Sequence, residues 1–306
     1  MPVADARPVV ILGMPRSGTT LLRRLLNQHP SLHCPGESFL LTGAARFLQE
    51  DLVADGLRYG VRGGIADLGV SEPQLLADLF GLADRYLSTA ASAAGKRRWV
   101  MKTAIDSFYA RDVEALCAGR VSFVVILRHA LDVIASLADL CAANRMYIRE
   151  LHPYVLRTPY PEQAFAMAWR DVTTALLDLA ARRRDDVHVC RYEDLVAAPG
   201  RTLNELLGFL GEPALVDPER VLANDAPRGI GDWKTYATTA VERDRANRWQ
   251  APGVRVDRAV AETVNDTLQR AGYAPLAAAD ADPDRARRRY ELLARLKAAN
   301  ARDAAG

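Results

Sequence analysis

The chain has 306 residues, of which 49% are hydrophobic and 25% charged, so it is long enough to bury a sizeable core within one large domain. Forty basic residues against 38 acidic ones leave a net charge of +2, which excludes a general nucleic-acid coat or a polybasic membrane binder. Any recognition of an anion must therefore come from a few locally placed cations.

The apolar run from Val9 to Leu12 is far shorter than the core of a signal peptide or a membrane span, and no later apolar run reaches about 18 residues. The four cysteines are scattered along the chain and show neither a CxxC motif nor a Cys/His metal-binding pattern. We therefore expect free thiols, a cytoplasmic location, no membrane partner and no metal site.

Short apolar runs rich in β-branched residues alternate with helical patterns. This alternation predicts an α/β fold of the P-loop-like, three-layer kind, with a central, mainly parallel sheet flanked by helices. The predicted strands cover 8–12, 99–102, 121–127 and 187–191. The predicted helices cover 19–28, a segment starting near Leu131, and about 201–210.

Two segments interrupt this alternation. Residues 40–95 are rich in Ala and Leu and helical in pattern, whereas 142–165 are rich in Pro and Tyr and predict a loop. Both are expected to be insertions in a single domain that covers residues 1–279. Residues 280–306 are rich in Arg, Ala and Asp and predict an exposed, helical C-terminal extension.

A phosphate-binding loop is indicated where the first strand meets the first helix, in the segment Gly13-Met14-Pro15-Arg16-Ser17-Gly18-Thr19-Thr20. Its glycines have the spacing of the nucleotide-triphosphate loop GxxxxGK[ST], but Thr19 replaces the lysine. Backbone N–H groups and the helix dipole favour an anion there, and Arg16 supplies a cation within the loop. The loop therefore suits an anionic group of lower charge than a triphosphate, held without a metal.

A second anion site is indicated after the third strand. Arg128 follows its carboxyl end, which is the edge where ligands of open α/β sheets bind, and Ser136 lies two turns along the next helix. A guanidinium grips phosphate bidentately, although an arginine in this place is equally compatible with a surface ion pair. Together with the loop, the pattern predicts a nucleotide that is phosphorylated in two places.

These residues resemble the sulfotransferase superfamily over most of the chain. The segment from Pro15 to Thr20 resembles the family's 5'-phosphosulfate loop, and Arg128, Asp132 and Ser136 resemble its 3'-phosphate motif. Arg191-Tyr192-Glu193-Asp194-Leu195 is similar to the segment whose tyrosine contacts the adenine. The resemblance implies the donor 3'-phosphoadenosine 5'-phosphosulfate (PAPS), the product 3',5'-adenosine bisphosphate, and no catalytic metal. The chain departs from the family pattern at Ala130, where proline is common.

The subgroup is narrowed by two departures from the enzymes that act on phenols and steroids. Their loop carries a lysine where this chain has Arg16, and Ala104 stands where their histidine base would be. Glu37, in the segment Cys34-Pro35-Gly36-Glu37-Ser38, resembles the position of the catalytic glutamate in tyrosylprotein and carbohydrate sulfotransferases and their bacterial relatives. The resemblance therefore implies Glu37 as the general base.

The remaining roles follow from the same resemblance. It implies that Arg16 and Lys102 steady the transferring group and the leaving phosphate. It further implies that the 5'-phosphosulfate is held by Ser17, Gly18, Thr19 and Thr20, the 3'-phosphate by Arg128 and Ser136, and the adenine by Tyr192. Late segments that close over the donor are represented by Gly231-Asp232-Trp233-Lys234 and by Asn247-Arg248-Trp249, with Arg248 as the cofactor-binding residue; both tryptophans are equally compatible with core packing. The five histidines have no ligand spacing and are interpreted as structural or exposed.

The acceptor would be bound by the two insertions, which carry no motif that identifies it. The balanced charge favours a small-molecule acceptor, such as a natural product, over a polyanionic polymer; a peptide or a glycan also remains open. The Arg-rich tail is compatible with a homo-oligomer. Two other functions remain open: a P-loop kinase that uses a nucleoside triphosphate, which the absence of the loop lysine disfavours, and a nucleotide-binding module without catalysis.

Overall fold

The structure is a computed structural model, and it describes residues 7–54, 57–217, 238–251, 254 and 256–277. Its strands are β1 (Val9–Leu12), β2 (Leu32–His33), β3 (Asp51–Ala54), β4 (Leu57–Gly60), β5 (Arg98–Lys102), β6 (Ser122–Leu127) and β7 (Val187–Arg191). Its helices are α1 (Thr19–Asn27), α2 (Leu40–Leu48), α3 (Val61–Asp67), α4 (Glu72–Ala93), α5 (Ala110–Cys117), α6 (Ala130–Asn144), α7 (His152–Val155), α8 (Pro161–Arg182), α9 (Tyr192–Ala197), α10 (Pro199–Phe209) and α11 (Arg258–Arg270). Short 3-10 segments cover Ala104–Tyr109, Arg149–Leu151, Arg243–Arg245 and Arg248–Gln250.

The central sheet has the strand order β2-β5-β1-β6-β7, and every pairing in it is parallel. Strand β1 lies in the middle, and its residues are fully buried because both faces of the sheet are covered by helices. Val10 and Leu12 face one apolar core, which includes Trp169 of α8, whereas Val9 and Ile11 face another, which includes Leu22 of α1. The alternation of side chains along one strand thus produces the three layers.

The sequence-based fold is confirmed, and the structure makes the sheet entirely parallel. The four predicted strands are present, with ends that agree within one residue. Strand β2 was not predicted because two residues carry no readable periodicity. The hairpin of β3 and β4, paired antiparallel within the segment 40–95, was also not predicted from that segment's helical composition.

The prediction of a loop over 142–165 is wrong at both ends. Helix α6 continues to Asn144, and α8 already begins at Pro161. Proline is favoured in the first turn of a helix because the missing N–H has no intrahelical partner there. Pro161 and Pro153 both occupy such positions, so these prolines begin helices rather than break them.

Within the described residues, no helix is both long enough and apolar enough to cross a bilayer. The predicted extension 280–306 lies outside the described residues.

Candidate active site

The loop between β1 and α1 begins at a glycine that has no room for a side chain. A Cβ on Gly13 would lie 2.7 Å from the carbonyl oxygen of Ile126 in the neighbouring strand β6. The amide of Gly13 donates to Ser107 Oγ at 2.8 Å, and that hydroxyl donates back to the Gly13 carbonyl at 3.0 Å. Ser107 thereby fixes the start of the loop from the buried 3-10 segment.

Gly18 ends the loop and is the N-cap residue of α1, with a left-handed φ of 90°. A Cβ there would lie 2.2 Å from the ring of Tyr192, which packs directly against the glycine. The guanidinium of Arg128 also lies over the same ring, at 4.3 Å from the ring centroid. Burial raises the pKa of the Tyr192 hydroxyl, so the ring is neutral where it contacts Gly18 and Arg128.

Arg16 links the loop to helix α6. Its Nε donates to Ser136 Oγ at 3.0 Å, and its carbonyl accepts from the Arg128 guanidinium at 2.9 Å. The backbone of Arg16 is left-handed, with φ of 80°, which is uncommon for a residue that has a Cβ. Arg128 also donates to the carbonyl of Arg245 at 2.6 Å, while its Nε is buried without a hydrogen-bond partner among the described residues. The residues predicted for the two anion sites thus lie together.

A second cation beside the loop comes from the adjacent strand β5. Lys102 pairs in register with Ile11, so its side chain emerges beside the loop and is only 1% exposed. Its ammonium group donates to Thr20 Oγ1 at 3.1 Å and forms an ion pair with Glu37. The segment that carries Glu37 is held from α1, because Arg23 donates to the carbonyl of Cys34 at 2.8 Å.

Asp132 of α6 holds the segment that contains Arg248. Its carboxylate accepts from the amides of Asn247 at 2.8 Å and Trp249 at 3.2 Å, and it lies 3.7 Å from the Arg128 guanidinium. Arg248 is exposed and lines the same cavity. The other late segment predicted to close over the donor, Gly231 to Lys234, lies outside the described residues.

His129 is packed behind the Arg128 position rather than free to react. Its ring stacks on Trp249 with centroids 4.1 Å apart and meets Tyr273 edge-on at 5.3 Å. Burial lowers the pKa of His129 to about 4, so the ring is neutral at physiological pH. The structure thus gives His129 and Trp249 a packing role at this wall of the site.

A buried carboxyl group that the sequence did not reveal lies beneath Glu37 and Lys102. Asp106 has no exposed surface, and its carboxyl accepts a hydrogen bond from the Thr42 hydroxyl of α2. Burial raises the pKa of Asp106 to about 7, and its electrostatic interaction with Glu37 adds to this rise. In the sequence, the one clue to Asp106 was that it lies four residues after Lys102, and this proximity does not identify a role.

The site contains one cavity of about 1570 Å³. The predicted site residues that line it are Arg16, Gly18, Thr19, Thr20, Glu37, Arg128, Ser136, Tyr192 and Arg248. Ser17 is buried in the loop wall, where its amide bonds the Met14 carbonyl, and Lys102 reaches the cavity wall through Thr20 and Glu37. Sequence reasoning did not find Phe39 and Arg245, which also line the cavity.

Among the described residues, no group of three or more His, Cys, Asp or Glu side chains has an arrangement that would hold a metal ion. All four cysteines are buried, and burial raises the pKa of the Cys117 thiol.

Three kinds of comparison relate this chain to known proteins. The nodulation protein NoeE of Sinorhizobium fredii (strain NBRC 101917 / NGR234) is 28% identical over 260 residues, which are 78% of this chain and 59% of that protein. The chain therefore spans less than two thirds of this relative. Among solved structures, the sulfotransferase domain from the Synechococcus PCC 7002 olefin synthase superposes with a TM-score of 0.63 at 22% identity, covering 87% of this chain and 94% of that one.

The sulfotransferase domain from the curacin biosynthetic pathway superposes with a TM-score of 0.61 at 20% identity, covering 88% of this chain and 99% of that one. At these identities the two structures establish a shared fold. The model of the family described as "Sulfotransferase family" matches residues 8–218, which include the loop, Glu37, Lys102, Arg128 and Tyr192. With more than half of its length matched, the chain belongs to the sulfotransferase family.

Proposed function

We propose that this enzyme transfers a sulfuryl group from PAPS to a hydroxyl (or amine) group of a small-molecule acceptor by in-line displacement, with Glu37 as the general base. The observation that carries the proposal is the meeting of Lys102, Glu37 and Thr20 at the end of the loop, in the same cavity wall as Arg128 and Ser136. Two separate cationic positions and one carboxylate are what a doubly phosphorylated donor and an acceptor proton require.

The donor suits the residues that are present. The first amides of α1 have no partner within the helix, and the two glycines let the loop pack closely against β6 and the Tyr192 ring. In the proposal Ser17, Gly18, Thr19 and Thr20 hold the 5'-phosphosulfate. Arg128 and Ser136 hold the 3'-phosphate, and the buried Nε of Arg128, without a partner among the described residues, leaves a donor for it. Tyr192 and Arg248 are assigned to the adenosine part.

The chemistry follows from charge and position. As the acceptor oxygen forms its bond to sulfur, the bond from sulfur to the bridging phosphate oxygen breaks, and 3',5'-adenosine bisphosphate leaves. Glu37 accepts the proton of the attacking hydroxyl. Lys102 and Arg16 stabilise the negative charge that develops on the leaving phosphate and the transferring group. This assignment places the protein in the glutamate-base branch of the family.

The direct test is incubation with radiolabelled PAPS and a panel of phenols, alcohols, sugars and secondary metabolites. We expect labelled product without added metal, and stabilisation of the protein by 3',5'-adenosine bisphosphate without magnesium. If the protein is stabilised only by ATP together with magnesium, that result would instead support the kinase alternative. Binding of the bisphosphate with no transfer to any acceptor would support the non-catalytic alternative. A cytoplasmic location, the absence of a metal and a small acceptor remain parts of the proposal.

A further inference from the structure

We propose that Phe39 is the residue that selects the acceptor, and that the acceptor carries an apolar group, either an alkyl chain or an aromatic ring, next to its reacting hydroxyl. This inference rests on the proposed function, because it takes Glu37 as the base and the cavity beside it as the acceptor site.

The conformation of Phe39 is the first observation. Its backbone is left-handed, with φ of 56°, which for a bulky side chain is an outlier rather than a common choice. The residue occupies the N-cap of α2, where phenylalanine cannot form a side-chain cap. Its neighbour Ser38 belongs to a residue type that is favoured at this position, yet it is not the N-cap. Local backbone strain of this kind persists where the surroundings enforce it, and it clusters at functional sites.

The first turn of α2 is held from another part of the chain. The Asp106 carboxyl accepts a hydrogen bond from the hydroxyl of Thr42, in that first turn. A buried carboxyl group thus fixes the first turn of α2 through a side-chain contact. The N-cap position itself is occupied by an aromatic residue that lines the cavity.

The surroundings of the ring are the second observation. Phe39 is 36% exposed and lines the cavity two residues after Glu37. Ala104 and Ile105, just beyond Lys102, and Ile148, after α6, line the same cavity. None of the lining residues in the segments 37–39, 104–105 and 148 is a cation. Among the described residues, the cations that line the cavity belong to the loop, the end of β6 and the segment 245–248: Arg16, Arg128, Arg245 and Arg248.

This arrangement defines the chemistry of the acceptor. A densely hydroxylated or polyanionic acceptor placed beside Glu37 would lose its hydration against apolar side chains without gaining partners from them. An alkyl or aryl group would bury its surface there, which favours binding. The aromatic wall therefore selects for an apolar group on the carbon skeleton that bears the hydroxyl.

The test measures kcat/KM for four probe acceptors with labelled PAPS: 2-phenylethanol and hexan-1-ol as apolar alcohols, and glycerol and glucose as polar ones. We expect the native protein to prefer the apolar alcohols by about tenfold or more. Phe39→Gly removes the ring and relieves the left-handed backbone, so this variant should be as stable as the native protein or more stable. Its kcat/KM for the apolar alcohols should nevertheless fall about tenfold, with bisphosphate binding unchanged.

Three further variants separate the role of the ring from that of the backbone. Phe39→Asn keeps a residue that tolerates the left-handed region and should lose the preference, whereas Phe39→Leu keeps an apolar side chain and should retain most of it. Arg145→Gly relieves another left-handed residue, at the C-cap of α6 with φ of 57°, and should leave kcat/KM unchanged.

The inference is overturned if the native protein prefers glucose or glycerol, if it uses none of the four probes while still binding bisphosphate and sulfating other acceptors, or if Phe39→Gly and Phe39→Asn keep the native preference. Failure of the proposed function has a different signature, since it would appear as an absence of bisphosphate binding and of any labelled product.

Discussion

The two halves of the cavity are built in different ways. The half that we assign to the donor, called the donor half, consists of backbone amides, hydroxyls and guanidinium groups that follow directly from β1 and β6, and its hydrogen bonds connect Arg16, Ser136 and Arg128 into one network. The half that we assign to the acceptor, called the acceptor half, has an apolar wall made of single residues from separate segments, including Phe39, Ile105 and Ile148. The charged groups of the site are thus attached to the ends of the sheet strands, and the half that would determine specificity is assembled from segments that connect the strands and helices.

The difference also explains where strain lies. The donor half contains a left-handed Arg16 whose carbonyl is held by Arg128, so its geometry is enforced by a charged hydrogen bond. The acceptor half contains a left-handed Phe39 whose helix is held by Asp106 instead. Each half therefore has an unfavourable backbone conformation stabilised by a residue far away in the sequence.

The largest expected effect is that of Glu37→Gln, which tests the assignment of Glu37 as the base between the two halves. This change removes the base but keeps the size of the side chain, so kcat should fall by about 10²–10⁴. Calorimetric titration should show unchanged bisphosphate binding. Glu205→Gln, an exposed glutamate of α10, is the matched control and should keep the native rate. A fully active Glu37→Gln would eliminate Glu37 as the base.

The support beneath the acceptor half is tested by the pH dependence of stability. Burial raises the pKa of Asp106 to about 7, above its unfolded value near 4, so the folded state binds a proton that the unfolded state has lost. The contribution of this group is fully present below about pH 4 and is lost as pH rises through about 7, by at most about 4 kcal/mol.

Asp106→Asn should abolish that part of the pH dependence, because the amide does not titrate. The free energy of unfolding, measured in urea from pH 4 to pH 8, should therefore fall more steeply for the native protein than for the variant. Glu37 and Lys102 interact with Asp106 and are present in both proteins, so the difference between the two curves reports Asp106 together with its coupling to these groups. Parallel curves would contradict the assignment.

The donor half is tested by Gly18→Ala. The new methyl group would lie 2.2 Å from the Tyr192 ring at a φ of 90°, so both crowding and backbone strain oppose it, and the loss of stability should be about 3 kcal/mol. Gly95→Ala has φ of 68° and no atom within 4 Å, so only backbone strain of about 1 kcal/mol should appear. Equal losses in the two variants would show that Tyr192 does not pack against the loop.

The contrast between the two halves also explains which site residues could be predicted from the sequence. The residues assigned to the donor half could be picked out in the sequence because they stand in local patterns: the loop from Gly13 to Thr20 has its own spacing, and Arg128 is identified by the strand before it. The structure brings them to one cavity. Lys102 was predicted beside the loop, and the register of β5 with β1 explains why it reaches Thr20.

The acceptor half was not predicted because its information lies in tertiary contacts. Nothing local distinguishes Phe39 from a core aromatic residue or Asp106 from a surface carboxylate. Their importance arises from the contact between the 3-10 segment and α2, which are more than 50 residues apart in the chain. The prolines of 142–165 were misinterpreted for a related reason, since a helix start and a loop use the same residue.

The most direct measurement of the central claim is a comparison of two nucleotides by calorimetry without divalent metal. The native protein should bind 3',5'-adenosine bisphosphate about 100-fold more tightly than 5'-adenosine monophosphate, because Arg128 and Ser136 are assigned to the additional phosphate. Arg128→Ala should remove most of that preference and weaken monophosphate binding much less. Equal affinities in the native protein, or a preference that survives in Arg128→Ala, would contradict a donor held at both ends in this cavity.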